Sequence, residues 1–165
     1  STTMLKKLSV AFALSLVSTT LLAEQAPTIS VQRLSMEMAL SIAQEAVASC
    51  RKQGIQIGAT VVDRNGTVQA ALRDTIAAPI TLKISRQKAF TAANFNAATS
   101  ALGDRANTPI GRVKGLVMSA GGLPIEAGGM LLGAVGVSGA PSGKTDEACA
   151  QAGIDKVLDD LEMAM

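Results

Sequence analysis

The sequence predicts an α/β domain of the α+β type: a five-stranded antiparallel sheet with helices packed on it, profilin-like in order. Three observations predict it. Apolar residues recur at helical spacing in three long stretches, and they alternate at a spacing of two in five short ones. Turn residues, namely Asn65-Gly66, Gly121-Gly122 and Gly128-Gly129, separate the short stretches closely enough for hairpins. The expected order is helix, strand, strand, helix, strand, strand, strand, helix.

Ser35 is a suitable N-cap for the first helix, and Met36, Leu40, Ala43 and Val47 follow at helical spacing beside Ile42 and Ala46. Arg51 and Lys52, then Gly54, are the cations and the glycine that a helix C-terminus favours. Ile55, Ile57, Ala59 and Val61 alternate as a strand, Asp63-Arg64-Asn65-Gly66 turns the chain, and Val68, Ala70 and Leu72 return. Residues 81–100 carry Leu82, Ile84, Ala89, Ala92, Ala93 and Ala97 as a second helix, broken by Gly103 and Asn107-Thr108-Pro109. Strands are expected at 115–119, 123–126 and 130–138. Thr145 is the expected cap of a last helix, with Asp146 and Glu147 in its first turn and Ala148, Ala152, Val157 and Leu161 along it.

The N-terminal stretch has a different character. Lys6 and Lys7 precede an apolar run over residues 8–22, then Ala23 and the polar Glu24-Gln25, which is the pattern of a secretory signal peptide. The run is shorter than the roughly 18–20 residues of a bilayer span, and no later segment resembles one, so no stable membrane span is expected once the leader is removed. An uncleaved anchoring helix is the other reading. Ser1, Thr2 and Thr3 stand before the initiator-like Met4 and read as a cloning remnant. The expected division is therefore 1–23 as remnant plus leader and 24–165 as one domain, in a periplasmic or secreted protein. Without Lys6 and Lys7 the 15 basic residues fall level with the 13 acidic ones, and no run of like charge remains, which excludes a nucleic-acid partner.

Cys50 and Cys149 are the only cysteines. In an oxidising compartment they could close a loop of about 100 residues as a disulfide, or remain two separate buried thiols. With no histidine in the chain, their spacing has too few partners for zinc. Residues 138–145 end in Gly143-Lys144-Thr145 and imitate a phosphate-binding loop. However, Ser138 stands where that loop needs its first glycine, and the twenty residues that follow are too few for a nucleotide-binding βαβ architecture. That segment reads as a loop leading into a capped helix.

A longer pattern is more specific. Ser119-Ala120-Gly121-Gly122-Leu123-Pro124-Ile125, then Gly133-Ala134-Val135-Gly136-Val137-Ser138-Gly139-Ala140, then Asp146-Glu147, stand in the order and near the spacing of the GlcG/HbpS-like family, which includes the C-terminal domain of PduO-type proteins. Lys88-Ala89-Phe90-Thr91-Ala92 with Phe95 resembles that family's middle-helix segment. The resemblance covers nearly all of residues 24–165. The residues also have a structural reading: Gly133 and Gly136 permit close backbone approach, and Pro124 suits an edge strand.

The resemblance implies a small-molecule ligand, haem or a related tetrapyrrole first, and a homo-oligomer. It points to Arg86, Lys88, Phe90, Thr91, Phe95, Met118, Gly121, Gly122 and Pro124 as candidate ligand-binding residues. The sequence departs from a simple haem reading, because neither histidine nor tyrosine is present. Met118, Met130, Lys88 or a cysteine thiolate would have to stand in at the iron, although each also reads as ordinary core or surface. Arg86 with Lys88 supplies a second expectation, a cationic site for a small organic acid such as glycolate. A ligand-free structural oligomer is a third, since 48% of the chain is hydrophobic and only 2% aromatic. Catalysis is left open, with binding favoured.

Overall fold

The structure is a computed structural model that describes residues 24–165; the expected leader at 1–23 lies outside the described residues. Residues 24–30 carry no helix or strand, and residues 31–165 form one compact unit. None of the described helices is long and apolar enough to cross a membrane.

Helix α1 (Met36–Arg51) begins where the Ser35 hydroxyl accepts a hydrogen bond from the Met38 amide, and Arg51 stands in its last turn. Its buried stripe is Ala39, Ile42, Ala43, Ala46, Val47 and Cys50. Strands β1 (Gly58–Asp63) and β2 (Val68–Arg73) form a hairpin. The Asp63 carboxylate fixes its turn by accepting from the amides of Asn65 (2.8 Å) and Thr67 (3.0 Å). After α2 (Ile80–Phe95), two short 3-10 turns (Thr99–Arg105 and Pro109–Arg112) lead to β3 (Gly122–Ala127), β4 (Met130–Ser138) and α3 (Gly143–Met163).

The sheet is antiparallel with order β2-β1-β4-β3 and has four strands, not five. Residues 115–119, expected as a strand, are turn and coil. Side chains claim the backbone groups that a strand would offer a neighbour. The Thr91 hydroxyl accepts from the Val117 amide, and the Thr99 hydroxyl donates to the Ser119 carbonyl. The second helix also stops short of residue 100, because Asn96 takes a left-handed conformation (φ 44°) that asparagine tolerates. The last helix starts earlier than expected: Ser142, not Thr145, is its cap, with the Ser142 hydroxyl accepting from the Thr145 amide.

Side-chain alternation gives the sheet two dissimilar faces. Ala59, Val61, Leu123, Ile125, Val135 and Val137 point into the main core, which α1 and α3 complete. Cys50 of α1 and Cys149 of α3, both fully buried, are joined there by a disulfide. On the opposite face, Val62 and Ala134 meet Ala89, Ala92 and Ala93 of α2 in a smaller cluster. Gly58, Gly136 and Gly122 stand on this second face. A Cβ at Gly136 would strike the Ser85 carbonyl, one at Gly122 the Lys88 carbonyl, and one at Gly58 the Thr81 side chain. The glycines let α2 lie directly on the strands, so the room they make is filled by helix backbone.

Candidate functional site

The way α2 packs decides which of its side chains remain available. Thr81, Ser85, Lys88, Ala89 and Ala92 are buried against the sheet. The Thr60 and Ser85 hydroxyls share a hydrogen bond of 2.8 Å at that contact. Lys83, Arg86, Gln87 and Phe90, spaced three and four apart, share another face of the helix.

That face forms one wall of a cavity of about 930 Å³. The β1–β2 hairpin supplies a second wall through Asn65, Gly66, Thr67, Val68 and Ala71, and Lys114 with Gly115 closes a third side. Phe90 lies across the hairpin turn, where a Cβ on Gly66 (φ 88°) would stand 2.6 Å from its ring. Leu82, Phe90, Val68 and Ala71 make up most of the apolar lining, and the buried Thr60 lies among the polar lining residues. Three exposed cations, Lys83, Arg86 and Lys114, also line it, and none of them forms an ion pair among the described residues. An apolar lining beside free cations suits a planar ligand that carries carboxylates.

Of the residues expected from sequence, the structure brings Arg86 and Phe90 to this cavity. Lys88 goes elsewhere. Two residues along a helix do not share a face, so the pairing of Arg86 with Lys88 does not form. The Lys88 side chain is turned inward, where Nζ donates to the Val137 carbonyl (2.9 Å) and to Asp146 Oδ2 (3.0 Å). Burial pushes the Asp146 carboxyl above the usual range, and the Ala140 amide and Lys88 offset this only in part. Gly121 sits against this pair, since a Cβ there would lie 2.6 Å from Lys88 Nζ.

Thr91 is buried, donating to the Gln87 carbonyl and accepting from the Val117 amide. Phe95 is half-buried, with the Arg105 guanidinium 5.7 Å from its ring centre. Met118 is half-buried, Met130 is exposed at the start of β4, and Pro124 is on the edge strand β3; none of the three lines the cavity. Sequence reasoning missed Lys83, Gln87 and Lys114. The spacing of Lys83 and Gln87 to Phe90 could have found the first two, whereas Lys114 arrives from a separate loop and left no local signal.

The segment that imitates a phosphate loop is closed internally. Asp146 Oδ1 accepts from the Ala140 amide and Ser142 caps α3, while Lys144 is exposed. The amides of Ala140, Thr145 and Asp146 are thereby already engaged within the segment.

The sequence profile of a family described as haem degrading protein HbpS-like matches residues 34–155. Among solved structures, HbpS is 36% identical with a TM-score of 0.75, covering 81% of this chain and 96% of that one. A double mutant of the Streptomyces reticuli HbpS has the same identity and TM-score, and 92% of its chain is covered. A complex of the PduO C-terminal domain with haem is 25% identical with a TM-score of 0.70, over 75% of this chain and 94% of that one. No curated protein sequence matches significantly.

The lining can be tested against haem on its donor chemistry. Three cations and the apolar lining residues fit the propionates and the faces of a porphyrin, and the volume lies at the upper end of ordinary ligand pockets, roughly 300–1,000 Å³. For the iron, the lining offers no histidine, tyrosine, cysteine or methionine. The organic part of the group fits; the usual metal ligands are missing.

Proposed function

The chain belongs to the HbpS-like family, and from that premise we propose that it binds haem or a related tetrapyrrole in the cavity between α2 and the β1–β2 hairpin. The observation that carries the reading is an apolar lining beside three cations that form no ion pair among the described residues. Lys83, Arg86 and Lys114 would take the propionates, and Phe90, Leu82, Val68 and Ala71 would lie against the macrocycle. Haem itself, when bound, supplies a redox-active iron. The crystallised haem complex of the PduO C-terminal domain supports this ligand class.

A small organic acid fits less well. It would leave most of about 930 Å³ unfilled, and Lys88 is engaged by Asp146. The leader-like pattern at 1–23 and the Cys50–Cys149 disulfide support an exported location, periplasmic or secreted. The resemblance to the family supports a homo-oligomer.

A haemin titration of the chain, free of any histidine tag and followed in the Soret region, tests the proposal. A saturable band at low stoichiometry, weakened by Arg86→Ala, is the expected result. A response equal to that of an unrelated protein would overturn it.

A further inference from the structure

We infer that this cavity recognises a tetrapyrrole by its carboxylates and flat faces and does not require the central metal, so that a metal-free porphyrin binds as well as its iron complex. The inference rests on the binding site proposed above.

Among the described residues, every side chain that could ligate iron in the usual way is absent from the cavity or engaged elsewhere. The chain has no histidine and no tyrosine. Its two cysteines are joined to each other, fully buried, in the core on the sheet face opposite α2. None of Met36, Met38, Met118, Met130, Met163 and Met165 lines the cavity. Lys88, the amine on the middle helix, is 4% exposed and held by Val137 and Asp146. What does face the space is a different set of groups. Lys83 and Lys114 are exposed, and such ammonium groups are strongly hydrated point charges, suited to carboxylates more than to a metal. Arg86 offers a planar fork of donors that matches a carboxylate in two bonds. Phe90, packed on Gly66, lines the cavity with an aromatic ring against which a flat macrocycle can pack. All of these partners meet the periphery and the π faces of the ligand, and none of them reads its centre.

The test compares haemin, metal-free protoporphyrin IX and protoporphyrin IX dimethyl ester, titrated into the same chain and followed by absorbance and by porphyrin fluorescence. Haemin and the free porphyrin are expected to agree within about threefold in Kd, because no metal–ligand bond separates them. The dimethyl ester is expected to bind about tenfold more weakly, and Arg86→Ala with Lys114→Ala to weaken both acids by about 4–25-fold, at two- to fivefold per exposed cation. Both substituted residues are on the surface, and an unchanged circular dichroism spectrum shows that the variant folds.

If haemin binds more than about thirtyfold tighter than the free porphyrin, or gives a low-spin spectrum that Lys83→Ala or Met118→Ala removes, metal ligation contributes. The inference then fails while the proposed function stands. If the ester binds as well as the acid, the carboxylates are not read, and the inference fails again. If neither porphyrin exceeds an unrelated protein, the site assignment falls with it.

Discussion

Lys88 and Asp146 meet as an ion pair at 3.0 Å with side-chain exposures of only 6% and 5%, joining the middle of α2 to the first turn of α3. The pair also holds the end of β4 through the Val137 carbonyl and closes the following loop through the Ala140 amide. Lys88→Met would leave the carboxylate buried without its cation. The expected loss is about 3–5 kcal/mol in guanidinium unfolding. Adding Asp146→Asn should restore most of it, because the amide keeps an acceptor for Ala140 and removes the uncompensated charge. A double variant no more stable than Lys88→Met would refute this account of the pair.

Two buried carboxyls give the fold opposing responses to acid. Burial raises Asp146, so the folded state binds the proton more tightly than the unfolded chain does. Its contribution therefore falls as pH rises from the unfolded value, about 3.9, through the folded one, and is level above that. Asp74 is the reverse case, held low first by hydrogen bonds from Arg51. Its contribution is present above the unfolded value and is lost as pH falls through the folded one. Relative to the natural chain, Asp146→Asn should gain stability as pH rises above about 3.9, and Arg51→Ala should lose it as pH rises toward about 3.9 from below. Urea midpoints measured on both sides of that value check both signs, and parallel curves for all three proteins would contradict them.

Much of this architecture was legible in the residues. Ser35, the stripe from Met36 to Val47, and Gly54 mark α1, and Asp63 to Gly66 marks the hairpin. The supposed strand at 115–119 was not legible, because its alternation is local while Thr91 and Thr99, which take up its backbone groups, lie 20 to 26 residues away in sequence. Ser142 and Thr145 are both good caps by type, and only the loop after β4 decides between them. Within the site, Arg86 and Phe90 were found, but Lys88 was misplaced. A charged residue on a helix reads as solvated unless its partner is known, and Asp146 stands 58 residues on. The cavity itself depends on the hairpin turn meeting α2, a contact with no trace in local sequence.

The Cys50–Cys149 bridge spans a sequence separation of 99 residues and ties α1 to α3. In the chain-entropy model its loss costs about 4–5 kcal/mol. Cys50→Ala with Cys149→Ala should therefore unfold at markedly lower guanidinium concentration than the oxidised chain. Since both residues are fully buried, reduction of the native protein should require opening and should accelerate with added denaturant. Fast reduction without denaturant would show that the α1–α3 contact opens locally.

The glycines beneath α2 are not equivalent to others in the chain. At Gly136 a Cβ would meet the Ser85 carbonyl and the Ala89 amide, which are backbone and cannot swing aside. Gly136→Ala should cost about 1–3 kcal/mol as helix and sheet are forced apart. Gly103 has nothing within 4 Å of an added Cβ, so Gly103→Ala should stay within about 0.5 kcal/mol of the natural chain. Thermal melts of the two variants decide the matter, and equal shifts would mean that α2 does not rest on the sheet as closely as described.

Ligand affinity should divide into a part that salt weakens and a part that it does not. Lys83, Arg86 and Lys114 are exposed at the rim, so their attraction for carboxylates is screened over about 10 Å at 0.1 M salt. Phe90 acts through apolar contact, which does not depend on charge. Arg86→Ala should therefore weaken haemin binding about two- to fivefold at low salt and by less at high salt. Phe90→Ala should weaken it by about tenfold at either, corresponding to roughly 1.4 kcal/mol of lost ring contact. Phe90 also packs on the hairpin turn, and Phe90→Leu keeps that apolar filling while removing the ring face. If the Arg86→Ala effect persists undiminished at 1 M salt, about the point where screening reaches 3 Å, the guanidinium acts through a desolvated bond inside the cavity rather than from its rim.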